Sequence, residues 1–296
     1  MGWLFAVLVV SIMMAVSSVS DRAAAITTDG ARLRVVTFNI HKGADRRGRY
    51  DLRRTIDAIA SFDADLVGVQ EALRNDPAFN CDDQPALIAA GLTRATGRPW
   101  SYAYSKAWIT ENRECLRRDR GDDVATEGLA LFAPGRIVGS TSLRLSEGRI
   151  GLMARLASMP GVPVVLTHLS ANRQQQPDRV RELATLLPWA ERRRAAILMG
   201  DLNATPDAQE LVPVLARFRD AWADAAGRGL TGGVATGATR PGRRGARIDY
   251  VFYMQGAGLS VQAVDVIDTA AGSDRVEVSD HRPVVVTFRR TSNGEP

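Results

Sequence analysis

Apolar and polar residues alternate or cycle along most of the chain, and the period of that pattern changes from segment to segment. Leu33 to Asn39 (LRVVTFN) combines β-branched residues with partial alternation and predicts a strand. Asp51 precedes Leu52, Ile56 and Ile59 at helical spacing and predicts a capped helix. Asp65 to Gln70 (DLVGVQ) reads as a buried strand ending at Glu71, and Pro85 to Ala95 reads as a helix. Short strand-like runs follow at Tyr102, Gly128 to Phe132, Ile137 to Leu145 and Leu152 to Ala157, and Pro163 to Thr167 is a strongly apolar strand running into His168. The second half continues in the same way. A helix over Asp178 to Ala190 is marked by Val180, Leu183, Leu186 and Leu187, with Pro188 placed to end or kink it. Ala195 to Met199 is a strand running into Gly200-Asp201, and Pro206 is positioned to open a helix. Ile248 to Tyr253, Leu259 to Val266 and Val284 to Phe288 complete the strands. Mixed elements without a break in composition predict one α/β domain over residues 30–296.

The polar residues fall in telling places. Asn39, Glu71, His168 and Asp201 each follow an apolar strand, and strand ends in an α/β sheet open onto the crevice where ligands bind. A hard cation takes oxygen ligands and needs few protein carboxylates, a demand that Glu71 and the amide oxygen of Asn39 can meet. In Gly200-Asp201-Leu202-Asn203 an extended backbone would point Asp201 and Asn203 to one side, where an acid and an amide can orient a water and hold a phosphoryl oxygen. The chain has three histidines. His41 reads as a structural hydrogen-bonder, whereas His168 and His281 stand beside strands and suit proton transfer near neutral pH. Asp249 lies inside an apolar strand, where a carboxylate is costly unless a histidine or a metal pairs it. Asp280 and His281 are adjacent and cannot share a face in extended chain, so they divide between a metal and a proton-transfer step.

Taken together, Thr37-Phe38-Asn39-Ile40, Gln70-Glu71, Thr167-His168-Leu169, Gly200-Asp201-Leu202-Asn203, Arg247-Ile248-Asp249-Tyr250 and Ser279-Asp280-His281-Arg282-Pro283 resemble, in order, the motifs of the endonuclease/exonuclease/phosphatase superfamily of deoxyribonuclease I-like metal-dependent phosphoesterases. The resemblance implies a four-layer α/β sandwich, two packed and mostly antiparallel sheets with helices outside. It implies hydrolysis of phosphodiester bonds by direct in-line water attack, with Mg2+ as cofactor and Mn2+ as the alternative. Carried over by position, Glu71 with Asn39 forms the main metal site, helped by Asp280. His281 is the catalytic histidine oriented by Asp249, Asp201 positions or deprotonates the attacking water, and Asn203 and His168 bind phosphoryl oxygens. His168 resembles the arrangement in deoxyribonuclease I, sphingomyelinases and phosphatases, whereas apurinic endonucleases typically carry a tyrosine there. Glu127 has two readings, a support for a histidine or an exposed acid at the start of a strand.

Composition refines the destination and the substrate. Trp3 to Val16 is uncharged and apolar, and Ala23-Ala24-Ala25 follows a short polar stretch, the pattern of a secretory signal peptide over residues 1–25. No Lys or Arg precedes the apolar run, so an N-terminal membrane anchor is the alternative to a periplasmic or secreted protein. An even cysteine count, Cys81 and Cys115 in polar flanks, suits one disulfide in an exported chain, with two free thiols as the alternative. Only two of the 38 basic residues are lysines, Lys42 and Lys106, in a chain of net charge +5. Arg46, Arg47 and Arg49 follow the first motif, and Arg240, Arg243, Arg244 and Arg247 approach Asp249. If both loops flank the metal, the mouth is positive and attracts polyanions. Nucleic acid is the expected substrate, and a phospholipid headgroup or a phosphomonoester is the alternative. A non-catalytic phosphate-binding module is the further alternative. No stable protein partner is implied, and a monomer is expected.

Overall fold

The computed structural model describes residues 30–110, 115, 124–171, 173–242, 245–271 and 275–290. The expected signal segment over residues 1–25, and Arg243 and Arg244 of the second basic loop, lie outside the described residues.

Alternation along the strands decides which way each residue looks. In chain order the strands are β1 (Arg32–Asn39), β2 (Leu66–Arg74), β3 (Trp100–Ile109), β4 (Thr126–Pro134), β5 (Ile137–Arg144), β6 (Ile150–Leu156), β7 (Val164–His168), β8 (Ile197–Asp201), β9 (Phe218–Asp220), β10 (Thr231–Gly233), β11 (Asp249–Met254), β12 (Leu259–Val266) and β13 (Val284–Arg290). The helices are α1 (Leu52–Ser61), α2 (Gln84–Thr96), α3 (Gln176–Arg192), α4 (Val212–Leu215) and α5 (Ala221–Ala226). A seven-stranded sheet runs β10-β12-β13-β1-β2-β4-β3, and a six-stranded sheet runs β5-β6-β7-β8-β11-β9. Leu33 and Val35 of β1, Leu166 of β7, Met199 of β8, Val251 of β11 and Val286 of β13 belong to one buried cluster between the sheets. The intervening residues face outward. Val36, Phe38, Val67 and Val69 pack with Leu52, Ile59, Ile88 and Leu92 of α1 and α2. Val165, Leu198 and Phe252 pack with Leu183, Leu186 and Trp189 of α3. The result is the four-layer sandwich expected from the motifs. Most strand pairs are antiparallel; a parallel pair lies at the centre of each sheet, β1–β2 and β7–β8, and β10–β12 is parallel at the edge of the larger one.

The Asp51 carboxylate accepts from the Arg54 N–H and caps α1, as its position foretold. One alternative at Pro188, a helix end, and the reading of Pro206 both fail. The helix over Asp178 to Ala190 does not end at Pro188, since α3 continues to Arg192. An interior proline costs about 3 kcal/mol, and the burial of Leu186, Leu187, Trp189 and Ala190 around it supplies more than that. Pro206 opens no helix. It sits in a turn closed by the Ala208 N–H on the Thr205 carbonyl, where its fixed φ suits the second turn position.

Candidate active site

Strand register assembles the site before any side chain is considered. On β1 and β2, Asn39 lies beside Gln70. Across the sandwich His168 of β7 lies beside Asp201 of β8, which lies beside Asp249 of β11. At Gly200, φ is +142°, and a Cβ would stand 1.9 Å from the Thr167 carbonyl oxygen. Only glycine allows β8 to deliver Asp201 so close to its parallel neighbour.

Glu71 reaches the site by a different route from the expected one. β2 does not end there but runs on to Arg74. The pairing of β2 with β4 shifts register between Val69 and Ala72, and Glu71 takes φ +59° within this bulge. A bulge redirects a side chain, and here Gln70 turns inward to Thr37 Oγ1 at 2.9 Å while Glu71 accepts from Asn39 Nδ2 at 3.0 Å. The same Asn39 Nδ2 donates to Asp201 Oδ2 at 3.2 Å, and Asn39 Oδ1 accepts from the His41 N–H at 3.1 Å. Asn39 therefore bridges two carboxylates as a donor, rather than offering its oxygen outward.

The loop before β13 supplies the adjacent pair. Ser279 Oγ donates to the Asn39 carbonyl at 2.7 Å and accepts from the His281 N–H at 3.1 Å. That anchor sends His281 inward, where its Nδ1 meets Asp249 Oδ2 at 2.8 Å. Asp280 points to the rim, 4.0 Å from His41 Nδ1 and 3.9 Å from Arg240. The divergence expected of adjacent residues is present. His281 Nε2 and His168 Nε2 lie 3.7 Å and 3.5 Å from Asp201 Oδ2.

The two histidines sit in opposite electrostatic states. Burial opposes charge on His281, but Asp249 and Asp201 outweigh it and push the imidazole up to about 10. Burial, reinforced by the Arg149 charge, holds His168 well below the usual histidine range. Burial and the neighbouring Asp249 carboxylate push Asp201 upward, toward proton-accepting strength near neutral pH. Asp201, Asp249 and His281 offer ligand atoms within 4.8 Å of one another and form a cluster able to hold a cation.

Three sequence readings are corrected here. Asn203 is not extended: its φ is +50°, its N–H donates to Asp201 Oδ1 at 2.9 Å, and its Nδ2 donates to the Leu169 carbonyl at 3.0 Å. It ties the end of β8 to the end of β7 instead of projecting beside Asp201. The His41 ring is not a structural hydrogen-bonder, since its buried Nδ1 has no hydrogen-bond partner. Arg247 is not at the mouth. It turns inward, pairing with Asp220 at 2.6 Å and lying over the Tyr250 ring.

Glu127 is resolved in neither expected form. It is buried, and its partner is Lys42, whose Nζ lies 3.4 Å from Glu127 Oε2. Burial and the Glu71 carboxylate push Glu127 up to about 7. Nothing in a linear pattern signals a contact over 85 residues. The Cys81–Cys115 disulfide is present, with Cα atoms 5.7 Å apart, within the usual span. Among the described residues no helix is long and apolar enough to cross a membrane.

Known proteins agree with this architecture. No curated protein matches the chain. Among solved structures, an endonuclease/exonuclease/phosphatase from Beutenbergia cavernae is similar at 24% identity and TM-score 0.67, covering 88% of this chain and 72% of that one. The human Nocturnin catalytic domain with bound sulfate anion is similar at 21% identity and TM-score 0.62, covering 88% and 94%. D. rerio TDP2 complexed with single strand DNA product is similar at 15% identity and TM-score 0.60, covering 87% and 99%. These likenesses establish the fold. The sequence itself matches the family over residues 36–281, a span that contains every site residue named above, and the chain belongs to the endonuclease/exonuclease/phosphatase family.

Proposed function

We propose that the chain is an exported, monomeric, divalent-metal-dependent phosphodiesterase that cleaves nucleic-acid backbones by direct in-line attack of water. The observation that carries this reading is the buried row of Asp249, His281, Asp201 and His168, in which an acid-held cationic imidazole and a proton-accepting carboxylate face one another within 4 Å. Asp201 positions the attacking water and takes its proton as the oxygen–phosphorus bond forms. His281, held by Asp249, gives its proton to the leaving oxygen as that phosphorus–oxygen bond breaks. His168, neutral, donates to a phosphoryl oxygen. Asn203 holds the ends of β7 and β8 in register and is a positioning residue.

The donor set fits a hard divalent ion such as Mg2+ or Mn2+. Glu71 and Asp280 are partly exposed carboxylates, hard oxygen donors of the kind such an ion takes. Glu71 and Asp280 would hold the ion, with Asn39 fixing the Glu71 carboxylate. When bound, such an ion neutralises charge on the phosphoryl group as a Lewis acid.

Nucleic acid is favoured by the rim. Arg46 reaches the Pro241 carbonyl at 3.4 Å, so the two basic loops meet, and Arg240 lies 3.9 Å from Asp280 at the rim. Backbone-directed contacts of this kind need no base readout. The D. rerio TDP2 structure of the same fold, complexed with single strand DNA product, supports this reading. Export is supported by the apolar run at Trp3 to Val16 and by the disulfide. The test is a panel of plasmid DNA, RNA, sphingomyelin vesicles and p-nitrophenyl phosphate at one Mg2+ concentration, with and without EDTA. Cleavage of DNA or RNA that EDTA abolishes is expected. Cleavage of lipid or monoester alone would reassign the substrate, and no metal-dependent hydrolysis of any of them would overturn the reading.

A further inference from the structure

Three consecutive residues, His41, Lys42 and Gly43, adopt positive φ of 48°, 61° and 74°. Each non-glycine residue in this region costs roughly 1–2 kcal/mol, so the turn persists only because its surroundings hold it. Gly43 is packed so that a Cβ would stand 2.9 Å from the Tyr50 ring. Gln84, fully buried, clamps the turn: its Nε2 donates to the Lys42 carbonyl at 2.7 Å, and its Oε1 accepts from the Leu73 N–H at 2.9 Å. Leu73 lies two residues beyond Glu71 on β2. The strained turn and the strand carrying Glu71 are thus one rigid unit, and strain of this kind collects at functional sites.

The clamp sends the Lys42 side chain back over the site wall. Its ammonium meets Glu127 at 3.4 Å, and Glu71 and Asp76 add further negative charge nearby. Glu127 cannot leave this pairing cheaply, because its side chain is only 5% exposed. Lys42 is 38% exposed on the same measure, so the pair has a buried anchor and an open end. An ammonium carries three donors, and among the described residues Glu127 is its one ion-pair partner. A small cavity at this wall is lined by Glu71, Glu127, Trp108 and His168. Glu127 does not hold His168 by a hydrogen bond. It holds a lysine beside the carboxylate assigned to the cation.

We propose that Lys42 is a phosphate-binding residue of the site, contacting a non-bridging oxygen of the substrate phosphate, and that Glu127 is the positioning residue that holds its ammonium there. The inference rests on the phosphoesterase reading of this site and adds a substrate contact to it. The cost of the left-handed turn then has a reason: an unstrained turn would carry the ammonium away from the wall.

The experiment measures inorganic phosphate binding by calorimetry in the Mn2+-loaded protein, alongside kcat and KM for bis-p-nitrophenyl phosphate. The variants are Lys42→Gln, Lys42→Arg, Glu127→Gln and the double Lys42→Gln/Glu127→Gln. Lys42→Gln should weaken phosphate binding and lower kcat/KM by about 10- to 150-fold, as expected for the loss of a charged hydrogen bond. Lys42→Arg should recover part of the loss. The double variant should be no worse than the poorer single, since the two act as a unit. Glu127→Gln should also raise the Mn2+ concentration needed for half-maximal activity, because the freed ammonium turns to Glu71, and adding Lys42→Gln should reverse that rise. A purely structural Glu127 would not show this reversal. Phosphate binding and kcat/KM within twofold of wild type in Lys42→Gln, or multiplicative losses in the double variant, would overturn the proposal. Hydrolysis that ignores Lys42 removes only this inference. Lys42-dependent phosphate binding without any hydrolysis removes only the enzymatic reading.

Discussion

In the seven-stranded sheet the parallel pair β1–β2 delivers Asn39 and the bulged, half-buried Glu71 beside a left-handed turn, with Asp280 and Lys42 open to the rim. In the six-stranded sheet the parallel pair β7–β8 delivers His168 and Asp201, which are buried and flanked by the equally buried Asp249 and His281. The same topological device therefore yields two unlike half-sites. One is strained, partly hydrated and rich in hard oxygen donors, suited to an ion that keeps waters. The other is dry and hydrogen-bonded, and there charge interactions are strong enough to set opposite protonation states on two histidines. The division of labour we propose, cation on one side and protons on the other, rests on this difference in exposure as much as on residue type.

The largest effect that probes this division comes from the dry half. His281→Ala and Asp249→Ala should each lower kcat on bis-p-nitrophenyl phosphate by about 10²–10⁴-fold, the range of positioned acid–base catalysis. The double variant should be little worse than either single. Fully multiplicative losses would show that Asp249 does not work through His281. On the wet side, Glu71→Gln should raise the Mg2+ concentration for half-maximal activity by at least about tenfold while the folding stability stays within ±0.5 kcal/mol, since the side chain is half-buried and, among the described residues, hydrogen-bonded to Asn39 alone.

The disulfide sharpens the comparison at the level of stability. Cys81 and Cys115 close a span of 34 residues around the loops next to Arg74 and Asn75. Replacing both by serine should cost about 2–4 kcal/mol in denaturant unfolding. The metal midpoint should move with it, and the His281–Asp249 half should not.

A further effect is on pH dependence in metal-free protein. His281 is raised in the folded state, so its contribution to stability is complete below about pH 6.5 and is lost as pH climbs toward about 10. His168 is lowered, so its contribution is complete above about pH 6.5 and is lost as pH falls below that. The two limbs meet near neutrality. Unfolding measured across pH in His168→Ala should flatten the acid limb, and in His281→Ala the alkaline limb. Variants that leave both limbs intact would contradict the assigned protonation states.

Much of this was legible in the chain. Apolar strands followed by Asn39, His168 and Asp201, and a carboxylate buried within the strand at Asp249, placed four site residues and left the partner of Asp249 between a histidine and a metal. The Asp51 cap followed from periodicity in the same way, and the four-layer sandwich from the resemblance of the ordered motifs. What escaped depends on backbone detail or on long-range contact. A bulge at Glu71 and a left-handed Asn203 leave no mark on a period-two pattern, so one strand was cut short and one side chain was aimed wrongly. Pro188 is tolerated because tertiary burial around α3 exceeds the local penalty. Arg247 was assigned to the mouth on its neighbours in sequence, whereas its partner Asp220 comes from β9. Lys42 and Glu127 are joined by folding alone.

The division between the two half-sites is tested most directly by titrating kcat with Mn2+ in wild type, Glu71→Gln and His281→Ala, using bis-p-nitrophenyl phosphate throughout. The account predicts that Glu71→Gln shifts the metal midpoint upward and recovers much of its kcat at saturating Mn2+. It predicts that His281→Ala keeps the wild-type midpoint and stays slow at every concentration. The opposite pattern, an unmoved midpoint in Glu71→Gln and a raised one in His281→Ala, would place the cation in the Asp201, Asp249 and His281 cluster and contradict the assignment.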